Sequence, residues 1–316
     1  MTVFGLNEHA CRALTGVLAS ALLLATAACG TTDTGDASSA SGSSSTTQLQ
    51  GYDTSGVKKD AAIAALLPQS VTKDGKFTIG VETTYAPAEF LAQDGKTAIG
   101  YEMDLAKALA RVFGLKEETA SAPFDSIIPA VGSKYDVGFS AFTVTSERIK
   151  AVDFVSYFDA GSTMVVKHGN PKKINPDNLC GTTVGVQIGT VQETSMGDAS
   201  AKCKAAGKQA IEVQAQKQQT DITTAVITGK ADAFYADTPV AGYAVKQTGS
   251  QLQTIGANTG AVPEAIAIKK GDASTVEAVQ KGMQKLIDDG TYGKILDYWG
   301  VSAGAVKTAE VNPKVK

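Results

Sequence analysis

The sequence predicts an α/β protein built from two lobes of similar layout, and an internal repeat carries that prediction. Thr78-Ile79-Gly80-Val81-Glu82 returns as Thr183-Val184-Gly185-Val186-Gln187, and Lys134-Tyr135-Asp136-Val137-Gly138-Phe139 is echoed by Lys230-Ala231-Asp232-Ala233-Phe234-Tyr235. Helical stretches separate the two strand-like segments in each half, and two matches in the same order indicate a duplicated arrangement. The chain of 316 residues has room for two such bodies. Its formal net charge is −3, and no basic stripe with interleaved aromatics is present, so nothing is there to hold nucleic acid.

The chain opens with a targeting segment. Ala13–Ala28 is a short apolar run after Arg12, too short to span a membrane, and it ends in small residues, Thr26-Ala27-Ala28-Cys29-Gly30. Residues 1–28 are therefore expected to be a signal peptide. The cysteine that follows resembles a lipoprotein cleavage box, with Thr26 where most such boxes carry leucine, and implies lipidation of Cys29. Plain secretion with a free Cys29 is the alternative. Thr31 to about Gln50 is Ser, Thr, Gly, Ala and Asp with almost nothing apolar, so residues 29–56 are expected to be a flexible, lipid-anchored tether holding the body at the outer face of the membrane.

The first lobe is expected over 57–163. Val57–Leu67 reads as a short helix stopped by Pro68. Gly100–Phe113 spaces Met103, Leu105, Ala108, Leu109, Val112 and Phe113 for an amphipathic helix ended at Gly114. Phe124–Val131 reads as a second helix, with Asp125 or Ser126 as cap and Pro129 early in it. Tyr157–Val166 is extended and is the candidate crossing to the second lobe.

The second lobe is expected over 164–262. Its first strand-to-helix turn is Gln187-Ile188-Gly189-Thr190-Val191-Gln192, where Gly189 permits close backbone approach and Thr190 can cap a helix whose N-terminus favours an anion. Cys180 and Cys203 flank this unit. In an exported chain they are expected to form a disulfide closing a loop of about twenty residues, worth roughly 3 kcal/mol. Two thiols without neighbouring histidines make no zinc cage, so no metal is expected. The second strand ends at Phe234-Tyr235-Ala236-Asp237-Thr238-Pro239; Asp237 is either a ligand carboxylate or the cap of the next helix. The chain is expected to return to the first lobe over 263–302, with Ala265–Ile268 as a strand, helices at Asp272–Gly290 and Thr291–Trp299, and a loose tail over 303–316.

The richest stretch runs from Asp136 to Arg148. An apolar, β-branched and aromatic run reads as a buried strand, then breaks into Thr143, Thr145 and Ser146 and enters a helix at Glu147-Arg148. Thr145 or Ser146 can cap that helix. Such a junction gathers a strand-end carbonyl, hydroxyls and free N–H groups around one guanidinium, which can grip a small carboxylate with two charge-assisted bonds. A solvated arginine on a surface helix is the plain alternative.

Taken together, these segments resemble the extracellular solute-binding proteins, family 3, which serve ABC importers of polar amino acids. The motifs are Tyr85-Ala-Pro-Ala-Glu-Phe90, Gly100-Tyr-Glu-Met-Asp-Leu105, Phe124-Asp-Ser-Ile-Ile-Pro129, Asp136 through Arg148, Val152-Asp-Phe154, Gly185-Val-Gln-Ile-Gly-Thr190, Ala231–Thr238 and Asp289-Gly-Thr-Tyr-Gly293, spanning about Phe77 to Gly300. The resemblance implies a two-lobed type II periplasmic-binding-protein fold with two crossing strands as hinge, and a monomer partnered by an ABC permease. It implies that Arg148 clamps a ligand carboxylate with the N–H groups of Thr143 and Val191. It implies that Asp237, the Thr143 hydroxyl and the Ala141 carbonyl meet the ammonium, and that Tyr85 and Phe124 sandwich the side chain. Glu82 and Gln187 stand where the family reads the side chain's polar end. Ala88 replaces a common aromatic, which implies a wider pocket there, and Val191 replaces a hydroxyl.

An ionised Glu82 favours a cationic side chain; a Glu82 bonded to Thr83 or Thr84 favours glutamine or another polar ligand. No enzyme and no cofactor are expected. The rival readings are a periplasmic dehydratase on the same fold, for which the sequence offers His168 and no nucleophile motif, and a ligand sensor for a membrane receptor.

Overall fold

The computed structural model describes residues 49–315. The expected signal peptide, Cys29 and most of the expected tether lie outside the described residues. The body opens with α1 (Ala61–Ala64) and α2 (Gln69–Thr72), followed by β1 (Lys76–Val81), the short strands β2 (Thr84–Tyr85), β3 (Glu89–Leu91) and β4 (Ala98–Ile99), then α3 (Tyr101–Phe113), β5 (Lys116–Ser121), α4 (Phe124–Ala130), β6 (Val137–Thr143), α5 (Ser146–Ala151) and β7 (Val152–Ala160). The second half holds β8 (Ser162–Lys167), β9 (Thr183–Gln187), α6 (Val191–Ala205), β10 (Glu212–Gln216), α7 (Gln219–Thr228), β11 (Ala233–Asp237), α8 (Thr238–Gln247) and β12 (Leu252–Ile255). The chain closes with β13 (Val262–Lys269), α9 (Ala273–Asp288) and α10 (Thr291–Trp299).

Two five-stranded sheets result, ordered β5-β1-β6-β13-β7 and β10-β9-β11-β8-β12. The repeat in the sequence has a physical cause. Thr78 donates its N–H to Asp136 Oδ2 and accepts from the Asp136 N–H at 2.8 and 2.9 Å; Thr183 does the same with Asp232, both at 2.8 Å. In each half an aspartate entering one strand is locked to a threonine of the parallel neighbour, the third residue of β1 and the first of β9, so the recurring Thr and Asp mark equivalent pairing points.

All seven residues of β6 are buried. Val137, Phe139 and Ala141 join the core that includes α3 and α9, while Phe142 packs with Phe124 and Ile127 of α4 on the other face. A strand covered on both faces reads as continuously apolar, which is why no alternation shows in the sequence. Helix α3 ends where Gly114 turns left-handed at φ 71°, as expected.

The chain passes from the first sheet to the second at Gly161 and returns between Ile255 and Val262. Ser162 and Thr163 pair in the second sheet and Val262 in the first, so the switch points fall slightly earlier than the expected boundaries. A side chain at Gly161 would strike the Thr259 carbonyl and the Asn258 side chain, so the two crossings lie against each other and need a glycine. Among the described residues no helix is long and apolar enough to cross a membrane.

Several local expectations are corrected. Helix α1 covers only Ala61–Ala64, capped by Asp60, and Pro68 stands at the start of α2 instead of ending the first helix. Neither Asp125 nor Ser126 caps α4; Pro123 precedes it, and Pro129 sits near its end, where a missing N–H ends the helix. The tail is not loose: Ala305 and Val311 bridge to Phe158 and Val155, Ala309 is 1% exposed, and Asn312 Oδ1 accepts from the Phe154 N–H at 2.8 Å. Residues 50–56 likewise leave the expected tether and pack on the first lobe. Tyr52 donates its N–H to Asp104 Oδ2 at 2.7 Å, and Thr54 is buried.

Candidate functional site

Eight of the nine residues expected to touch a ligand, Tyr85, Phe124, Ala141, Thr143, Arg148, Gln187, Val191 and Asp237, line one small space of about 10 Å³ between the lobes; Thr190 and Gln192 complete the lining. Glu82 sits behind Gln187, whose Nε2 donates to Glu82 Oε2 at 2.9 Å. Ala88 does not line the space: it is fully buried beneath Gly100, so the wider pocket expected from it is not there.

The first lobe presents the cation. Thr145 caps α5 by accepting from the Arg148 N–H at 3.1 Å, which sets the guanidinium over the end of β6. Its Nη1 donates to the Thr143 carbonyl at 2.7 Å and its Nη2 to the Gly189 carbonyl of the other lobe at 2.9 Å. The guanidinium carbon lies 5.4 Å from the Phe124 ring and 5.8 Å from the Phe142 ring. Burial lowers the Arg148 pKa to about 10, so it stays charged at neutral pH. Among the described residues no ion pair involves it: its hydrogen-bond partners are carbonyls, and its charge is open to an anion.

The second lobe presents the anion. Asp237 ends β11 and precedes α8, but its carboxylate makes no capping bond. Oδ2 accepts from the Tyr85 hydroxyl and Oδ1 from Gln192 Nε2, each at 2.8 Å, and Gln192 also reaches Ser162. Burial raises the Asp237 pKa to about 6, against the lowering effect of its donors and of Arg148.

Glu82 accepts from the Thr84 hydroxyl at 2.9 Å as well as from Gln187, and burial raises its pKa. Of the two alternatives for Glu82, the bond to a neighbouring threonine is present, from Thr84, and the second bond, from Gln187, ties it to the other lobe. Val191 is the first residue of α6, where the backbone N–H has no intrahelical acceptor; Thr190 caps that helix through the Glu193 N–H.

Ala141 has φ +43°, rare for a residue with a side chain. Between Gly138 and Phe142 β6 spends four steps while β13 spends two, from Ala267 to Ala265, so β6 bulges here and the Ala141 backbone leaves the ladder. Glu102 holds it there: both carboxyl oxygens accept from the Ala141 N–H at 3.1 Å, and Tyr157 donates to Oε1.

Glu102, Gln192, Glu89 and Glu264 escaped the sequence reading. Glu102 lies inside the Gly100–Leu105 motif, but a charged residue on an amphipathic helix reads as solvent-facing. Only the packing shows that it points inward. His168 is exposed at the end of β8, away from the cleft, and no group of three or more metal-ligating side chains forms among the described residues.

Residues 77–302 match the model of the bacterial extracellular solute-binding proteins, family 3. The chain belongs to that family. The Corynebacterium glutamicum protein called arginine-binding protein ArgT is 34% identical over 252 residues, covering 79% of this chain and 82% of that one. A structure described as an ancestral arginine-binding protein bound to arginine shares 35% identity at a TM-score of 0.66, over 71% of this chain and 98% of its own. The ancestral amino acid-binding protein AncCDT-1, described as a precursor of cyclohexadienyl dehydratase, shares 32% identity at the same TM-score over 74% and 99%. This solute-binding protein therefore has the two-lobed α/β fold of amino-acid-binding relatives, with Arg148 and Asp237 supplied by opposite lobes.

Proposed function

We propose that this solute-binding protein is the substrate-capturing component of an ABC importer, that its solute is a basic L-amino acid, and that arginine is the first choice. One observation carries the reading: a half-buried guanidinium, bonded among the described residues only to carbonyls, stands opposite a buried carboxylate supplied by the other lobe, with a second carboxyl, Glu82, at the far end. An amino acid carries the complementary pair of charges. Its carboxylate would take the Arg148 fork and the Val191 N–H; its ammonium would take Asp237 and the Ala141 carbonyl. A side-chain cation would meet Glu82 and Gln187, between Tyr85 and Phe124. The names of the arginine-binding relatives support the same solute.

Because the anchors come from different lobes, only closed lobes satisfy both ends of the ligand, and binding shifts the population toward closure. In this arrangement Tyr85 already bonds Asp237 and Arg148 bonds Gly189, so the ligand exchanges inter-lobe bonds for its own. Glutamine is the second reading, favoured by the Thr84 hydroxyl, which already bonds one oxygen of Glu82 and so matches a polar side chain as well as a cation. The reading is of capture and not turnover, by a monomer. Lipidation at Cys29 would keep it beside its permease; a labelled fatty-acid analogue should enter the wild type and not Cys29→Ala.

Calorimetry of the purified protein against the twenty common L-amino acids tests the solute. Arginine or lysine should bind, and Arg148→Ala or Asp237→Ala should cost about 2–5 kcal/mol, the effect of truncating one partner of a buried charge pair. Wild-type affinity in either variant would remove that anchor from the site.

A further inference from the structure

Behind the ammonium anchor lies a carboxyl that ligand capture, as described, leaves unused. Glu264 sits on β13, opposite Thr143 of β6 and Phe158 of β7. It is 1% exposed, and neither carboxyl oxygen has a hydrogen-bond partner. The register with β7 breaks between Glu264 and Ala265, a bulge of the kind that re-aims side chains beside sites. The groups facing Glu264 are Asp237 from β11, Glu102 and Tyr101 from α3, Asp159 and Tyr157 from β7, and Tyr85 from β2, with no cation among them. Burial and the negative charge of Asp237, Glu102 and Asp159 penalise a bare carboxylate there and push the Glu264 pKa well above the usual carboxylate range, which favours its protonated form. It is then a donor lacking an acceptor, beside Asp237. The Glu264 and Asp237 carboxyls interact directly, and the terminal torsion of a glutamate is soft enough to turn its O–H toward that neighbour.

We propose that Glu264 is a positioning residue whose carboxyl O–H donates to Asp237 and, with Tyr85 and Gln192, holds that carboxylate charged and aimed at the ligand ammonium. The proposal rests on Asp237 being the ammonium anchor. An acid that stays neutral thus helps to keep its neighbour ionised, adding to the pull of Arg148 on Asp237.

The test is calorimetry with L-arginine, and with any other amino acid that binds, from pH 5 to pH 8 on wild type, Glu264→Gln and Glu264→Leu. Affinity of the wild type should fall as pH drops through the Asp237 titration. Glutamine keeps a donor, so Glu264→Gln should stay within about threefold of wild type with the same midpoint. Leucine keeps none, so affinity should drop about tenfold at pH 7, the effect of one hydrogen bond to a charged group, and the midpoint should move to higher pH. A purely structural role would weaken both variants without moving the midpoint. A ligand-free readout accompanies it: the infrared band of a protonated carboxyl at pH 7 should weaken in Glu264→Gln. An unchanged Glu264→Leu profile, or an unchanged band, overturns the proposal. If Asp237→Asn loses affinity while Glu264→Leu does not, only the role of Glu264 fails; if Asp237→Asn binds like wild type, the anchor reading fails with it.

Discussion

Gly189→Ala separates lobe closure from fold stability. Gly189 has φ +80° in the turn between β9 and α6, and its carbonyl receives Arg148. An added Cβ would lie 2.9 Å from Asp125 Cβ and 3.3 Å from Asp125 Cα, on α4 of the opposite lobe. The left-handed backbone costs an alanine about 1 kcal/mol whether the lobes are together or apart, so that part appears as lower stability. The clash with Asp125 exists only when the lobes meet. Relief requires a shift of several tenths of an ångström against a helix whose Phe124 is stacked on Phe142 at 4.9 Å. Overpacking of that kind costs about 1–3 kcal/mol, which is about 5- to 150-fold in affinity. Gly197→Ala is the control: it lies inside α6 with nothing within 4 Å of the new Cβ, and should gain about 0.5–1 kcal/mol of stability without changing affinity. Calorimetry with L-arginine and small-angle scattering with and without it are the assays. Wild-type affinity and wild-type compaction in Gly189→Ala would refute the claim that closure brings this turn against α4.

Two further outcomes are expected. Burial raises the pKa of Glu102 to about 7 and of Asp237 to about 6, and raises those of Glu89 and Glu264 strongly. The folded protein therefore holds more protons than the unfolded chain between the ordinary carboxylate range and about pH 7, and stability falls as pH rises through that window. Melting should be several degrees lower at pH 8 than at pH 5, while ligand affinity moves the opposite way; a melting temperature that rises over this range would refute the buried acid cluster. Cys180 and Cys203 form a disulfide across 23 positions, at the end of the second lobe away from the cleft. Replacing both with serine should cost about 3 kcal/mol of stability with little effect on affinity, checked by denaturant titration beside calorimetry.

The strands were legible where burial is two-sided, as in the unbroken apolar run of β6, and the helices where periodicity and a left-handed glycine agree, as in α3. The Thr145 cap and the Cys180–Cys203 bridge were legible too, because both depend on local spacing or on the export context. Asp125 and Ser126 misled because a good capping residue at the second or third position of a helix looks the same in sequence as one at its cap. The tail misled because its polar composition hides the few residues that pack, Ala305, Ala309 and Asn312.

By itself the sequence determined that two α/β units repeat, which strand-to-helix junctions could hold charge, and which residue types would hold it, because those follow from short-range pattern and chemistry. Only the tertiary structure decided that Arg148 and Asp237 face each other, that Glu102 turns inward to hold a left-handed Ala141, and that Glu264 stands unpartnered behind Asp237. Those facts depend on strand register, a bulge and the meeting of residues up to about a hundred positions apart, and long-range packing leaves no periodic trace in the chain.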